Sequence, residues 1–323
     1  MSPRSRRWLL ALLGLLVLLG GGGAWLANDA ETLLRIAIWQ ERGASDLVRH
    51  TTQLQGHDIV YLDGGAPDGE PVLLIHGYTA DKDNWTRFSR SLADAGYRVI
   101  APDLPGHGES SRLQEHTYDI ANQVAFVRLF VDALDLGPVH VAGNSMGGQI
   151  AGTFGAMHPD RTRTVGLLAP GGLTAPVLSE RLIIMRETGT NPLLVTDVDD
   201  FDRLLAFLFV EPPPLPRVVK QHFADRAVQN RTFNAKIWSD LVTPTRAALE
   251  PLLPKLTMPT LILWGDSDRV LHPSGGDVLA AGIPHATRVT MTGCGHSPMI
   301  ERPGETARHY LAFLAGAANQ APQ

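Results

Sequence analysis

Short apolar segments alternate with longer amphipathic segments along most of the chain. Several of the short segments are apolar on both faces, which is typical of strands in a sheet that helices cover on both sides. The strand candidates are residues 72–76, 98–103, 139–143, 164–170, 260–265 and 287–293, and helical segments lie near 84–95, 117–135, 146–158, 274–282 and 304–315. This alternation predicts an α/β fold with a mainly parallel sheet flanked by helices.

One long segment, residues 171–255, interrupts the alternation. It contains no convincing strand, only helical pieces and the proline-rich sequence EPPPLPR. Such a segment is too long for a simple connection between two elements. We therefore predict an inserted helical cap over 171–255, a core formed by 52–170 and 256–316, and a frayed tail at 317–323.

The N-terminal region differs from this globular pattern. Three arginines precede residues 8–27, which carry no charge. About twenty residues at ~1.5 Å each are long enough to cross a hydrocarbon core. We predict a membrane anchor in residues 1–27, with a cleaved signal peptide as the alternative, because Gly22-Gly23-Ala24 suits a cleavage site.

The arginines before the apolar segment favour an orientation with the N-terminus inside. A single N-terminal span in this orientation predicts a membrane-anchored protein whose main folded part is extracytoplasmic (periplasmic), and cleavage predicts a secreted protein. Residues 28–51 follow, with Leu33, Ile36 and Trp39 mostly on one helical face. We interpret them as a juxtamembrane amphipathic segment that lies along the membrane surface or packs on the domain.

Composition and charge exclude several classes of function. The 323 residues are 44% hydrophobic and 19% charged, as in a globular protein. The net charge of −5 and the lack of a basic stripe interleaved with aromatic residues argue against nucleic-acid binding. A single cysteine excludes an internal disulfide, and no Cys/His cluster has zinc spacing. The oligomeric state stays open.

The pentapeptide Gly143-Asn144-Ser145-Met146-Gly147 lies where a strand candidate meets a helical segment. A G-x-S-x-G sequence at such a junction holds its serine in a strained turn and exposes the hydroxyl at the C-terminal edge of the sheet. Glycines flank the serine because a Cβ there would collide with the neighbouring strand or helix. We predict Ser145 as a nucleophile, with a purely structural turn as the alternative.

A serine hydroxyl needs a base to take its proton. His296 lies in the glycine-rich loop MTGCGHSP after the last strand candidate, where the sheet edge brings it towards Ser145. An orienting carboxylate must then fix the imidazole tautomer and stabilise the imidazolium. The sequence LILWGDSDRV supplies Asp266 and Asp268 after another strand. We predict that Asp268 orients the base. Asp266 is the alternative, and is otherwise a capping or turn residue.

Two backbone N–H groups are predicted to form an oxyanion hole. The strand in LLIHGYTADKDNW ends at His76-Gly77, so the N–H of Tyr78 faces the N–H of Met146, the residue after the nucleophile. Backbone donors need no particular side chain, and both residues are therefore assigned by position alone.

Three other reactive side chains receive structural interpretations. His76 orders its own loop, His107 belongs to the tight turn of PDLPGHGES, and Cys294 is a small packing residue without a base of its own.

Taken together, these motifs resemble those of α/β-hydrolase-fold serine hydrolases, most of all the membrane-anchored monoacylglycerol lipases. The resemblance covers nearly the whole chain and rests on LLRIAIWQERG, HGYTADKDNW, PGHGES, GNSMGGQIAG, APGGL, WGDSDRVLHPSG and GCGHSPMIERP. The order Ser, Asp, His along the chain is the one that this fold shows. The cap is the least similar part, so the likeness says little about the substrate.

The resemblance implies two-step acyl transfer by Ser145, Asp268 and His296, with Tyr78 and Met146 as oxyanion donors. It implies a small lipid ester as the substrate, a membrane surface as a partner of the N-terminus, and no metal or organic cofactor. Our leading hypothesis is hydrolysis of monoacylglycerols or similar single-chain lipids, and a general short-chain esterase is a close alternative.

Two further hypotheses remain. Hydrolases that cleave C–C bonds in ring-fission products resemble GNSMGG and PGGL. They carry an HGGGPG-like oxyanion loop and an aromatic residue after the histidine, where this chain has HGYTAD and Ser297. A non-catalytic binding module on the same scaffold is the third hypothesis, because a fold alone does not fix a function.

Overall fold

The computed structural model describes residues 29–197, 199–242 and 248–319. At its centre lies an eight-stranded sheet. The strands are β1 (Leu47–Leu54), β2 (His57–Gly65), β3 (Pro71–Ile75), β4 (Arg98–Pro102), β5 (Val139–Asn144), β6 (Thr162–Leu168), β7 (Thr260–Gly265) and β8 (Ala286–Met291). Their spatial order is β1-β2-β4-β3-β5-β6-β7-β8. Neighbours from β4 to β8 are parallel, whereas β2 pairs antiparallel with both β1 and β4. The predicted α/β fold with a mainly parallel sheet is thus confirmed.

Helices cover both faces of this sheet. They are α1 (Ala30–Ala44), α2 (Thr86–Asp94), α3 (Ile120–Ala133), α4 (Met146–Met157), α5 (Glu180–Thr188), α6 (Asp199–Leu208), α7 (Arg217–Gln229), α8 (Arg231–Leu241), α9 (Gly275–Gly282), α10 (Pro298–Glu301) and α11 (Pro303–Ala318). Short 3₁₀ turns occur at Lys82–Trp85, Pro159–Arg161 and Glu250–Lys255. We call α5 to α8 the cap helices.

The central strands are buried on both faces. In β3, Leu73 and Ile75 belong to the apolar layer beneath α3 and α4, and Val72 and Leu74 belong to the opposite layer beneath α2 and α11. All four side chains are fully buried. This burial explains why these strands are continuous apolar runs without a polar face.

The hairpin β1–β2 was not among the strand candidates. β1 is an edge strand with the sequence LVRHTTQL, and most of its side chains are exposed. A strand that packs so little apolar surface gives no clear periodic signal. Its loop, Gln55-Gly56, has positive φ at both residues, which matches the right-handed twist of a two-residue hairpin.

The segment predicted as juxtamembrane and amphipathic over 28–51 divides into two elements. Asp29 caps α1 by accepting a hydrogen bond from the N–H of Thr32, the helix ends at Ala44, and β1 begins at Leu47. The helix packs against α2, α7 and β1 and therefore lies on the domain.

The predicted membrane anchor in residues 1–27 lies outside the described residues. Among the residues that the structure describes, no helix is both long and apolar enough to cross a membrane. The first described helix, α1, has 15 residues, or about 22 Å, and it carries charges such as Glu31 and Arg35. The predicted membrane-anchored localisation depended on a single N-terminal transmembrane span. These findings do not support such a span, and the predicted localisation is therefore withdrawn.

Candidate active site

Ser145 stands at a sharp turn between β5 and α4. Its φ of 58° is in the left-handed region, which costs a non-glycine residue about 1–3 kcal/mol. The turn is held by backbone hydrogen bonds: the N–H of Ser145 donates to the carbonyl of Leu168, and its carbonyl accepts from the N–H of Gly171. The predicted strained turn is therefore present, and the hydroxyl opens into a cavity at the C-terminal edge of the sheet.

The glycines around Ser145 allow backbones to approach closely. A Cβ at Gly143 would collide with the carbonyl of Gly147, and one at Gly147 would collide with the carbonyl of Ile75 in β3. The strand, the turn and the helix can therefore come together only if these positions lack a side chain.

Asp268 and His296 form a hydrogen-bonded pair. The Nδ1 of His296 lies 2.8 Å from Oδ2 of Asp268, and both side chains are almost fully buried. Because the carboxylate accepts, Nδ1 carries the proton and Nε2 is free to accept. His296 lines the same cavity as Ser145.

Asp268 is fixed by three further donors. Its Oδ1 accepts from the N–H groups of Val270 and Leu271 at 2.8 and 3.0 Å, and Oδ2 accepts from Nε1 of Trp264 at 3.0 Å. Asp266 instead accepts from the hydroxyl of Ser267 and the N–H of Gly293. The predicted division between Asp268 at the histidine and Asp266 at the turn is thus present in the structure.

Asn144 connects the serine turn to the histidine loop. Its Nδ2 donates to the carbonyls of Leu168 and His296 at 3.1 and 3.0 Å, and its Oδ1 accepts from the hydroxyl of Ser297. The sequence analysis assigned no role to this residue, although it lies inside the pentapeptide. A buried amide beside a predicted nucleophile was the available signal, because such a group must find partners.

Glu301 is a second residue that the sequence analysis missed. One carboxylate oxygen accepts from the N–H groups of Val210 and Glu211, just after cap helix α6, and the other accepts from the N–H of Gly295. The carbonyl of Leu208 accepts the N–H of His296 at 2.8 Å. The histidine loop is therefore bound directly to the end of α6.

The predicted oxyanion donors lie next to Ser145. A Cβ at Gly77 would lie 3.3 Å from the Cβ of Ser145, so the turn that carries Tyr78 packs on the serine. Among the described residues, no hydrogen bond engages the N–H of Tyr78 or of Met146. Both donors are therefore available, and Met146 begins α4, where the helix dipole favours negative charge.

A buried charge network supports this turn. The ammonium of Lys82 lies 2.8 Å from Asp103 and 2.7 Å from Glu109, and Lys82 and Asp103 are almost fully buried. The two basic partners Arg49 and Lys82 hold the pKa of Glu109 down, to about 2, against the opposing effect of burial. The network continues to α1, where Arg42 binds Asp83 and also lies 3.6 Å from Glu109.

His76 and Cys294 have structural environments, as the sequence analysis expected. Nε2 of His76 accepts from the N–H of Leu104, and Nδ1 donates to the carbonyl of Gly77. Burial lowers the pKa of His76 to about 4, so the ring is neutral at neutral pH. Burial and the nearby Glu301 raise the pKa of the Cys294 thiol to about 12, which leaves it unreactive.

The cavity above Ser145 has a volume of about 390 Å³. Side chains spaced three and four residues apart on cap helix α6 line it, namely Phe201, Leu204, Leu205 and Leu208. Helix α7 contributes Phe223, whose ring stacks on that of Phe201 with the centroids 6.1 Å apart. The described residues include no cluster of three or more His, Cys, Asp or Glu side chains that could hold a metal ion.

Comparisons with known proteins place this geometry in a family. A family model described as alpha/beta hydrolase fold matches residues 70–303. Lipase 1 of Psychrobacter immobilis is 36% identical over 281 residues, covering 85% of this chain and 87% of that protein. Monoacylglycerol lipase abhd6-B of Xenopus laevis is 31% identical over 296 residues, covering 88% of this chain and 87% of that protein.

A solved structure adds the same likeness in three dimensions. The crystal structure of a membrane phospholipase A, described as a bacterial virulence factor, superposes with a TM-score of 0.88 at 42% identity. The match covers 97% of this chain and 99% of that one. The chain belongs to the alpha/beta hydrolase family as a serine ester hydrolase, and it is similar to the lipases and monoacylglycerol lipases within it.

Proposed function

We propose that the chain hydrolyses monoacylglycerols or similar single-chain lipid esters through an acyl-enzyme on Ser145. The observation that carries this proposal is the shared cavity, into which Ser145 and the Asp268-bound His296 both open beneath apolar cap helices. We further propose that residues 171–255 act as a cap that encloses the acyl chain. A long acyl chain gains more from such an apolar lining than a short one does, because each buried methylene group contributes about 0.8 kcal/mol.

The first half of the reaction forms the acyl-enzyme. The hydroxyl of Ser145 attacks the ester carbonyl while Nε2 of His296 takes its proton, and Asp268 stabilises the imidazolium. The N–H groups of Tyr78 and Met146 bind the oxyanion of the tetrahedral intermediate, and loss of one such donor costs ~10²–10³ in kcat. His296 then protonates the leaving alcohol.

The second half releases the fatty acid. A water molecule enters the place of the alcohol, gives its proton to His296 and attacks the acyl carbonyl. His296 then returns the proton to Ser145 as the acid leaves. The two halves use the same donors, so one arrangement serves both.

Two readings on one purified preparation test the proposal. Ser145→Ala is expected to abolish labelling by a fluorophosphonate and to lower fatty-acid release from monoacylglycerols by ~10³-fold or more, because the acyl-enzyme cannot form. Parallel assays with triacylglycerol and a short water-soluble ester are expected to show that monoacylglycerol is preferred.

Hydrolysis that continues unchanged in Ser145→Ala would contradict the proposal. If the protein is labelled but hydrolyses only short water-soluble esters, it is a general esterase and not a lipid hydrolase. Faster turnover of a ring-fission dienoate than of any ester would favour C–C bond hydrolysis, and a folded protein that is never labelled would favour a binding module.

A further inference from the structure

The side chain of Tyr78 has no task in the proposed reaction, which uses only the backbone N–H of this residue. Its hydroxyl donates a hydrogen bond to the carbonyl of Asn234 in cap helix α8, and the two oxygens are 2.7 Å apart. The two residues are 156 positions apart in the chain. The predicted oxyanion donor is therefore bound directly to the cap through its own side chain.

The ring of Tyr78 is held at the same place as its hydroxyl. It packs against an apolar cluster formed by Tyr118, Phe233 and Ile237, and its centroid lies 5.4 Å from that of Trp238. The last three of these residues belong to α8. Burial also raises the pKa of Tyr78, so the hydroxyl remains protonated, and therefore a donor, at neutral pH and above.

The N–H of Tyr78 shares a peptide plane with the carbonyl of Gly77. In a trans peptide these two groups point in opposite directions, so the contacts that fix the carbonyl also direct the N–H. The carbonyl accepts from Nδ1 of His76 at 2.8 Å and from the N–H of Ala80 at 3.2 Å. The Gly77 end of this plane is thus fixed within the core.

The Tyr78 end of the plane belongs to a strained turn. Residues 77–80 form this turn, which the hydrogen bond between Ala80 and Gly77 closes. Thr79, in the middle of the turn, is exposed and has a φ of 58°, which is unfavourable for a β-branched residue. A strained backbone keeps its conformation only when its surroundings hold it. The Tyr78 side chain supplies such a hold, because it binds the turn to α8.

We propose that the hydroxyl of Tyr78 is a positioning group for its own backbone N–H, which it holds in place for the oxyanion by binding to Asn234. The proposal rests on the proposed ester hydrolysis and on the predicted oxyanion role of this N–H. Donors that are fixed in advance stabilise an oxyanion without reorganising as the charge develops, and small displacements weaken them. The hydroxyl therefore stabilises the transition state more than the bound substrate.

Tyr78→Phe tests the proposal, because it removes the hydroxyl and keeps the ring that packs on α8. With monooleoylglycerol in micelles of an uncharged detergent, kcat is expected to fall by about 10-fold while KM changes by less than about 2-fold. This loss is smaller than the ~10²–10³ that follows removal of a whole donor. The difference arises because the N–H is still present in the variant but is less firmly held.

A long-chain alkyl trifluoromethyl ketone gives an independent measurement. The hydroxyl oxygen of Ser145 adds to its carbonyl carbon, the proton passes to His296, and the carbonyl oxygen becomes an oxyanion. The inhibition constant of the ketone should rise in Tyr78→Phe by about the factor by which kcat/KM falls. The corresponding alcohol forms no oxyanion and should bind equally well to the variant and to the intact protein.

Tyr118→Phe is the matched control. The hydroxyl of Tyr118 accepts from the N–H of Leu113 and donates to its carbonyl, and the ring belongs to the same cluster beside α8. The substitution therefore removes a hydroxyl near α8 that does not bind the turn of residues 77–80. We expect it to lower the midpoint of urea unfolding at least as much as Tyr78→Phe does. It should leave kcat and the inhibition constant of the ketone unchanged.

A further variant restores the donor. With para-aminophenylalanine at position 78, an amine takes the place of the hydroxyl and can donate to the carbonyl of Asn234. Part of the kcat that is lost in Tyr78→Phe is expected to return.

Four results would overturn the proposal. They are an unchanged kcat in Tyr78→Phe, a fall in kcat without a rise in the inhibition constant of the ketone, an equal fall in Tyr118→Phe, and no recovery with para-aminophenylalanine. If the intact protein hydrolyses no ester, the proposed function fails and this proposal fails with it. That result is distinct from ester hydrolysis that does not depend on the hydroxyl of Tyr78.

Discussion

The two walls of the cavity are built by different physical means. The core wall consists of strand ends and turns whose polar groups are fixed by hydrogen bonds, as at Asn144 and Asp268. The cap wall over Ser145 consists of helix faces that meet through side-chain packing, as in the stacked rings of Phe201 and Phe223. Hydrogen bonds and close backbone contacts permit one geometry, whereas apolar packing tolerates exchange of side chains of similar volume.

The two walls are therefore suited to different tasks, catalysis on the core wall and substrate selection on the cap wall. Groups that must meet a reacting carbonyl within a fraction of an ångström belong on the fixed wall. Groups that enclose an acyl chain need only shape and apolar surface. Changes in the core wall should therefore lower kcat or the stability of the fold, and changes in the cap wall should alter which substrate is preferred.

The largest expected effect is on the core wall. Asp268→Ala removes the acceptor that fixes the His296 tautomer and should lower kcat by about 10³- to 10⁴-fold with little change in KM. Steady-state kinetics with monoacylglycerol measure this effect, and Asp266→Ala is the control. A comparable loss of kcat in Asp266→Ala, with Asp268→Ala nearly active, would exchange the roles of the two carboxylates.

The second prediction concerns the charge network beside the turn that carries Tyr78. Lys82→Met leaves Asp103 buried without its counter-charge and should lower the free energy of unfolding by about 3–5 kcal/mol. Urea titrations measure this change. Arg87→Met breaks the exposed pair with Glu41 and should cost about 0–1 kcal/mol. Similar losses in the two variants would remove the contrast between buried and exposed pairs.

The third prediction is a pH dependence of stability. His76 has a folded pKa of about 4, below its ordinary value of 6.5, because burial disfavours its charged form. Its neutral ring therefore stabilises the fold fully above about pH 6.5. As the pH falls towards 4, the unfolded chain takes up a proton that the folded chain does not, and stability falls by about 1.4 kcal/mol per pH unit.

Denaturant titrations of the intact protein and of His76→Gln, between pH 6.5 and 4.5, measure this slope. Glutamine can accept from Leu104 but does not titrate, so the variant should lose less stability across that range, although His107 still contributes. Identical slopes would show that His76 is not the group involved.

The smallest expected effect is on the cap wall. Leu204→Trp fills part of the apolar side and should remove space for about two methylene groups, each contributing about 0.8 kcal/mol. The kcat/KM for long acyl chains should fall by about 10-fold, with that for short chains little changed. Leu182→Trp, on an exposed face of α5, is the control. A uniform fall for all chain lengths would mean that the cap also positions the reacting groups.

Much of the core wall was predictable from local signals in the sequence. Glycines and turns at strand ends pointed to Ser145, Asp268 and His296, and a hydrogen bond joins the last two in the structure. Parallel strands bring their C-terminal ends to one edge, so residues distant in sequence meet there. The catalytic roles of these residues and of the two oxyanion donors remain predictions.

Other parts of the site were not predictable in this way. The role of Glu301 depends on Val210, 91 positions earlier in the chain, and no local pattern reports such a pairing. The apolar lining from Phe201 and Phe223 depends on how α6 and α7 pack together over the cavity. Cap helices are positioned by tertiary packing, which single-sequence patterns do not encode.

The link between Glu301 and the end of α6 has a practical consequence for exchanging caps between relatives. The carbonyl of Leu208 and the N–H groups of Val210 and Glu211 lie within the cap in sequence, but they bond to the loop that carries His296 and to Glu301. A transplanted cap that replaces residues 208–211 brings foreign backbone to the histidine loop. A graft that keeps these four residues, with donor sequence on either side of them, leaves His296 in its native surroundings.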